Sequence, residues 1–312
     1  MPLSQIPKIN YANHPAYGLL FGAPTMSLRI AALKRLLPYL WRYKRLLLRN
    51  VNRQINTSLT RELYQNGFKP FRLTEDEIQL ILSRAQRYLP QLEQGKKATP
   101  LASRTFKNIV ISLSQRKEAE FYKEISSILS KRQISEIASS YRGRPMQLAG
   151  LCVQAGDKDD PDMKNHFEDI RLSDPASYYF HIDASEGQIK CMIYLHNVTT
   201  DTGPTCYVPG SNRNHIGRFE LLVRMANDKT RLDKCKRENR ELFSALPRIF
   251  QKKAEFGNDL NHKDGERFLS QSVELTSDKG NLILFDPNGY HRGKMIKEGK
   301  RIVLQVVFAP YG

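Results

Sequence analysis

Apolar positions along this chain recur with two different periods, helical in the first half and strand-like in the second. Beyond Ser27, Leu33, Leu36, Leu37, Leu40, Trp41, Leu47, Leu48, Val51 and Ile55 follow helical spacing, and Arg35, Arg42, Arg45, Arg49 and Arg53 fall largely on the other face. Pro38 is expected to end one short helix and open the next. Residues 1–25, rich in Pro, Gly, Asn and Tyr without periodicity, read as an extended arm. Thr74 and Glu77 have capping-box spacing ahead of a helix carrying Ile78, Ile81, Leu82 and Leu89. After a polar break at 93–100, one helix is predicted from about Lys117 to Ser139, with Phe121, Ile125, Ile128 and Leu129 inward.

After Arg144 the texture changes. Short runs of apolar, β-branched or aromatic residues bounded by turn formers predict strands over 146–154, 178–183, 188–198, 205–208, 281–285 and 302–308. A charged insertion, about 212–278, separates two of them and carries a helical pattern over 217–254. Helices leading into strands without alternation predict an α+β chain with a mainly β core, a barrel or sandwich braced by helices. The expected division is a basic arm with amphipathic helices over 1–61, then a single domain over 62–312 that holds the insertion.

Charge narrows the partners. Lys and Arg outnumber Asp and Glu by 49 to 32, a formal +17 that favours an anionic partner. The first 61 residues hold ten Lys or Arg and no acid, so residues 27–55 suit either packing on the protein or lying on an anionic membrane surface. No apolar run approaches the ~20 residues of a spanning helix, and the start lacks the layout of a secretory signal. Cys152, Cys191, Cys206 and Cys235 are widely spaced with no C-x-x-C pair, which suits reduced thiols in a cytoplasmic, or peripherally membrane-bound, protein. No basic-aromatic module of the usual nucleic-acid-binding type is present, and nucleic acid is disfavoured.

The candidate chemistry lies in the second half. His181 and Asp183 follow an apolar strand pattern, where residues two apart face the same side. His291 follows a hydrophobic strand and a Pro/Gly turn. Two histidines and one carboxylate on one face of a metal form the ligand set of non-haem Fe(II) oxygenases. Arg301, ten residues beyond His291, offers a guanidinium suited to a dicarboxylate such as 2-oxoglutarate. His166-Phe167-Glu168 repeats the spacing in a polar acidic loop and is set aside. His196 and His262 read as surface residues.

The run Gly187-Gln188-Ile189-Lys190-Cys191-Met192-Ile193-Tyr194-Leu195-His196-Asn197-Val198 resembles the phytanoyl-CoA dioxygenase family. So do Thr202-Gly203-Pro204-Thr205-Cys206-Tyr207-Val208-Pro209-Gly210-Ser211 and Gly280-Asn281-Leu282-Ile283-Leu284-Phe285-Asp286, with His291-Arg292-Gly293 and Arg301 after them. The resemblance is ordered over about 178–308 and faint over 62–154. It implies a double-stranded β-helix, a jelly-roll barrel flanked by helices, and an Fe(II)/2-oxoglutarate oxygenase using O2. It implies His181, Asp183 and His291 as iron ligands and Arg301 as the 2-oxoglutarate anchor, with Lys190 and Met192 lining the cosubstrate pocket. It also implies decarboxylation of 2-oxoglutarate to succinate and CO2, and, because Asp183 is retained, hydroxylation in place of halogenation.

The chain departs from the family at Asn212, where a histidine is usual, which points to loop structure or substrate contacts. The leading expectation is hydroxylation of an anionic or membrane-associated substrate, a lipid, glycolipid or acyl-CoA. Two other readings stay open: the same chemistry on a small soluble metabolite, and a non-catalytic barrel that binds membrane or RNA.

Overall fold

The computed structural model describes residues 25–43, 54–92, 108–158, 180, 183, 187–213 and 262–311. They fall into two compact units. One contains the described residues up to 43, with 180, 183 and 262–270; the other contains the rest.

In the first unit, α1 (Met26–Tyr43) runs on through Pro38, where two helices were expected. A proline in mid-helix forfeits the hydrogen bond of its own nitrogen, and the remaining turns bridge that loss. Phe180 packs on Phe268 at 5.8 Å between ring centroids, Phe268 coming from α6 (His262–Gln271). Of the strand expected over 178–183, only Phe180 and Asp183 are described, and neither is in a strand. The helix expected over 217–254 lies outside the described residues.

The second unit is built on antiparallel sheets. In chain order it holds α2 (Arg61–Asn66), β1 (Phe68–Arg72), α3 (Glu75–Gln86), β2 (Asn108–Leu113), α4 (Ala119–Ser130), α5 (Ile134–Arg142) and β3 (Met146–Asp157). Then come β4 (Ile189–Tyr194), β5 (Thr205–Tyr207), β6 (Val273–Leu275), β7 (Asn281–Phe285), β8 (His291–Gly293) and β9 (Lys300–Pro310). A six-stranded sheet has the order β1-β7-β4-β9-β3-β2, and a three-stranded sheet the order β6-β5-β8. This is the two-sheet core of a jelly roll; among the described residues the sheets do not close into a hydrogen-bonded ring.

Side chains alternate across the large sheet. Ile189, Cys191, Ile193, Leu304, Val306 and Phe308 join a core with Ile81 of α3, Ile125 of α4 and Ile137 of α5. The opposite face carries Met192, Tyr194, Ile283, Phe285 and Val303, which pack with Tyr207 and Leu275 of the small sheet. With both faces covered, the central strands are almost continuously apolar.

Two elements differ from expectation for identifiable reasons. β1 contains Pro70, which removes a ladder donor, and it survives as an edge strand paired with β7 alone. The single helix expected over 117–139 is two, α4 and α5, separated by Gln133 in the left-handed region at φ 54°.

The capping box at α3 is formed, Glu77 N donating to Thr74 Oγ1 and Thr74 N to Glu77 Oε2 at 3.0 Å. The same carboxylate accepts from both terminal nitrogens of Arg132, in the turn between α4 and α5. Burial raises the pKa of Glu77, but the Arg132 and Thr74 hydrogen bonds outweigh it and bring the value to about 2. A depressed carboxyl pKa contributes stability above its unfolded value and loses it as pH falls. Stability is therefore expected to decline between about pH 5 and pH 2, and Glu77→Gln to cost about 2 kcal/mol at neutral pH while flattening that decline, as read by urea unfolding at a series of pH values.

Candidate functional site

His291 opens β8 at the end of a turn that begins at Asp286. Asp286 N donates to Gly67 O at 2.8 Å, and the Asp286 carboxylate accepts from Asn288 N and Nδ2, each at 3.0 Å. Tyr290 N donates to Ser211 Oγ at 2.8 Å, tying the turn to the loop after β5. The His291 ring then lies edge-on to Phe285 at 5.4 Å and stacked with Tyr207 at 6.3 Å. Its Nδ1 is 2.8 Å from Gly289 O. A carbonyl only accepts, so Nδ1 carries the proton and Nε2 the lone pair, the tautomer that a metal ligand needs.

Two glycines make room for this arrangement. The Tyr207 hydroxyl donates to Asp286 O at 2.8 Å. A Cβ at Gly289 would meet that hydroxyl at 1.8 Å, and one at Gly67 would meet it at 2.3 Å. Gly67 also holds φ at +84° as the C-cap of α2.

Behind the turn is a buried polar cluster. Arg142 at the end of α5 and Asp286 are 2.5 Å apart, both side chains wholly buried. Tyr141 Oη and Gln54 Nε2 donate to the other carboxylate oxygen at 2.9 and 3.1 Å. Burial, with the Asp286 charge beside it, pushes the Tyr141 hydroxyl far above its ordinary pKa, so it remains a donor. Asn212 Nδ2 donates to Tyr141 Oη at 2.9 Å and to the carbonyls of Leu63 and Tyr64. Asn212 therefore shapes the loop around α2, and is itself buried.

Arg301 enters from the neighbouring strand. Its side chain is buried, and Nη1 donates to Gly203 O. A Cβ at Gly293 would lie 3.2 Å from Nη1 and 3.3 Å from Nη2, so the guanidinium rests on the backbone two residues past His291. The Tyr194 hydroxyl accepts from Thr205 N at 3.3 Å; burial raises its pKa, and the Arg301 charge opposes that rise.

Met192 and Lys190 are two apart on β4 and share a face. Met192 is buried and accepts from Thr205 Oγ1 at 3.3 Å, which ties β4 to the small sheet. Lys190 is half-buried, close enough to Cys152 that its charge partly offsets the burial that raises the thiol pKa. Cys152 donates to Gln305 Oε1 at 3.3 Å on the same face. Cys191 points into the other core, wholly buried, as the alternation requires. His196 is half-buried and accepts from Ile302 N at 3.3 Å, which makes it structural.

Asp183 is half-buried and belongs to the other unit. His181 lies outside the described residues, as does His166-Phe167-Glu168. Among the described residues no group of three or more His, Cys, Asp or Glu is placed to hold a metal. Sequence reasoning missed Arg142, Tyr141 and Tyr207. Asn212 had been noticed only as a departure from a motif, and no local signal marks the others as partners of Asp286.

The family model for phytanoyl-CoA dioxygenase (PhyH) matches residues 66–301. No curated protein matches the chain by sequence. Among solved structures, EctD from S. alaskensis in its apo form is 12% identical, over 82% of this chain and 77% of its own, at a TM-score of 0.49. The epimerase SnoN from nogalamycin biosynthesis, in complex with Fe3+, alpha ketoglutarate and nogalamycin RO, is 13% identical over 81% and 82%, at 0.46. HygX from Streptomyces hygroscopicus, with nickel and 2-oxoglutarate bound, is 14% identical over 82% and 88%, at 0.43. Likeness at this level carries nothing about substrate.

Removing the carboxylate with Asp286→Ala strands a buried guanidinium. It is expected to cost about 3–5 kcal/mol in urea unfolding, more than the loss of a single neutral hydrogen bond. Gly293→Ala is expected to displace the Arg301 guanidinium by a few tenths of an ångström while leaving the His291 turn intact. Steady-state kinetics should then show KM for 2-oxoglutarate raised roughly tenfold with kcat little changed.

Proposed function

This chain belongs to the phytanoyl-CoA dioxygenase family of non-haem iron, 2-oxoglutarate-dependent oxygenases, and on that premise we propose that it hydroxylates an anionic or membrane-associated substrate. The substrate class is a lipid, glycolipid or acyl-CoA, with 2-oxoglutarate leaving as succinate and CO2. The single observation that carries the reading is the placement of Arg301, a buried cation resting on the backbone just beyond His291. A guanidinium held in this position offers a planar donor fork that suits a carboxylate, and a dicarboxylate bound to a metal at His291 would find it two residues further along the backbone.

The setting of His291 supports such a centre. The Gly289 carbonyl accepts the His291 Nδ1 proton and so leaves the lone pair on Nε2, and Tyr207 and Phe285 limit rotation of the ring. His181, Asp183 and His291 would hold the iron, Arg301 the 2-oxoglutarate, and Lys190 and Met192 would line the cosubstrate pocket. Bound there, iron and 2-oxoglutarate supply the oxidation, one oxygen of O2 entering succinate and the other the substrate alcohol. The protein's own part is to fix these groups and to keep water away from them. Met192, Tyr194, Phe285 and Tyr207 do so by filling the space between the sheets. Lys190 adds positive charge on the same face, and the chain's net +17 favours an anionic substrate over a neutral one.

The test is 2-oxoglutarate-dependent O2 consumption by the Fe(II)-loaded protein with polar lipids, acyl-CoA mixtures or a soluble metabolite extract as stimulants. Lipids or acyl-CoA should stimulate turnover, and His181→Ala and Asp183→Ala should abolish it. Stimulation only by the soluble extract would overturn the substrate class, and turnover undiminished in either variant would overturn the ligand assignment.

A further inference from the structure

Helix α1 presents large apolar side chains to solvent. Met26, Ile30, Leu33, Leu37 and Trp41 are all exposed, Leu33 least at 41% and Trp41 most at 72%. Their spacing places them on one side: at about 100° per residue the five fall within an arc of roughly 80°. The stripe extends over about 22 Å at 1.5 Å per residue. An amphipathic helix of a water-soluble protein ordinarily turns such a stripe inward, so an exposed one of this length marks an interaction surface.

Charge identifies the partner. Arg29 and Lys34 are exposed, and the helical projection puts one on each flank of the stripe. Long basic side chains so placed can bury their stems beside apolar neighbours while their cations reach anionic groups. The first turn of α1 has no acid, and none occurs anywhere in the first 61 residues. Trp41 closes the stripe, and indole favours the boundary between headgroups and acyl chains. None of the helices among the described residues is long and apolar enough to cross a membrane, so α1 suits lying on the surface. A second copy of the helix would bring like charges together, and a nucleic acid would leave five apolar side chains in water.

We propose that α1 is a membrane-docking face that seats Met26, Ile30, Leu33, Leu37 and Trp41 in the interface of an anionic bilayer, with Arg29 and Lys34 on its headgroups. This deepens the reading of a membrane-associated substrate, yet it depends on no iron chemistry.

Trp41 is the one tryptophan of the chain, so intrinsic fluorescence reports this helix directly. The full-length protein is sedimented with vesicles of phosphatidylcholine alone or with added phosphatidylserine, while Trp41 emission and its quenching by brominated lipid are followed. Sedimentation with the anionic vesicles is expected, together with a blue shift and quenching. Leu33→Gln with Leu37→Gln keeps helix-forming residues and the reporter, and should lower partitioning at least tenfold. Arg29→Gln with Lys34→Gln should lower it about fivefold per charge removed. Three results overturn the proposal: failure to sediment, sedimentation without a change at Trp41, and a dimer in solution that the two leucine substitutions abolish. Substrate-free 2-oxoglutarate turnover is measured on the same variants and should be unchanged. Loss of turnover in the parent chain would count against the iron site, and loss of vesicle binding against α1.

Discussion

A carboxylate and a guanidinium taken out of water together cost several kcal/mol each, recovered only if their geometry and remaining hydrogen bonds are good. Arg142 and Asp286 meet that condition, and much of the second unit is arranged around them. Arg142 is the last residue of α5 and also donates to Gln188 O, at the entry to β4. Asp286 is the first residue beyond β7 and takes hydrogen bonds from the turn that ends at His291. One buried contact therefore relates the helical layer, the central strand and the turn carrying the metal-ligand candidate. Tyr141, Asn212 and Gln54 complete the carboxylate and its neighbours, so a change in any one of them reaches the same turn.

The large sheet separates stability from chemistry by its two faces. One set of alternating residues packs on α3, α4 and α5, and is apolar throughout. The other set faces the small sheet, and here apolar packing is interrupted by Lys190, Gln305 and Cys152 on adjacent strands. Polar groups on an inner face are expensive unless they serve recognition or are satisfied. Arg301 belongs to this interior, held by Gly203 and admitted by the missing side chain at Gly293. His291, its Nδ1 proton held by Gly289 O, lies two residues before the backbone on which that guanidinium rests.

The docking proposed for α1 would give charge a second purpose. The acid-free first 61 residues include α1, whose exposed apolar stripe is flanked by cations. Bringing an enzyme to its substrate's surface raises the local concentration of that substrate without altering the site. A chain of net +17 gains most where the surface is anionic.

Local pattern decided a good deal. The strand at 281–285 appears with the bounds its apolar run predicted, and the run 302–308 lies inside β9. The Thr74–Glu77 capping box formed as its spacing required, and Arg301 stands near the start of the last strand. These features depend on neighbours a few residues apart, which periodicity and capping chemistry register. What tertiary structure decided involves distant partners. Pro70 argues against a strand until an edge is available beside β7, and Asn108–Leu113 becomes a strand by pairing with β3. Arg142 and Asp286, 144 positions apart, look like two unrelated charges in the sequence. Burial is a property of the assembled layers, and only burial turns that pair, and the glycines around Tyr207, into the support of His291.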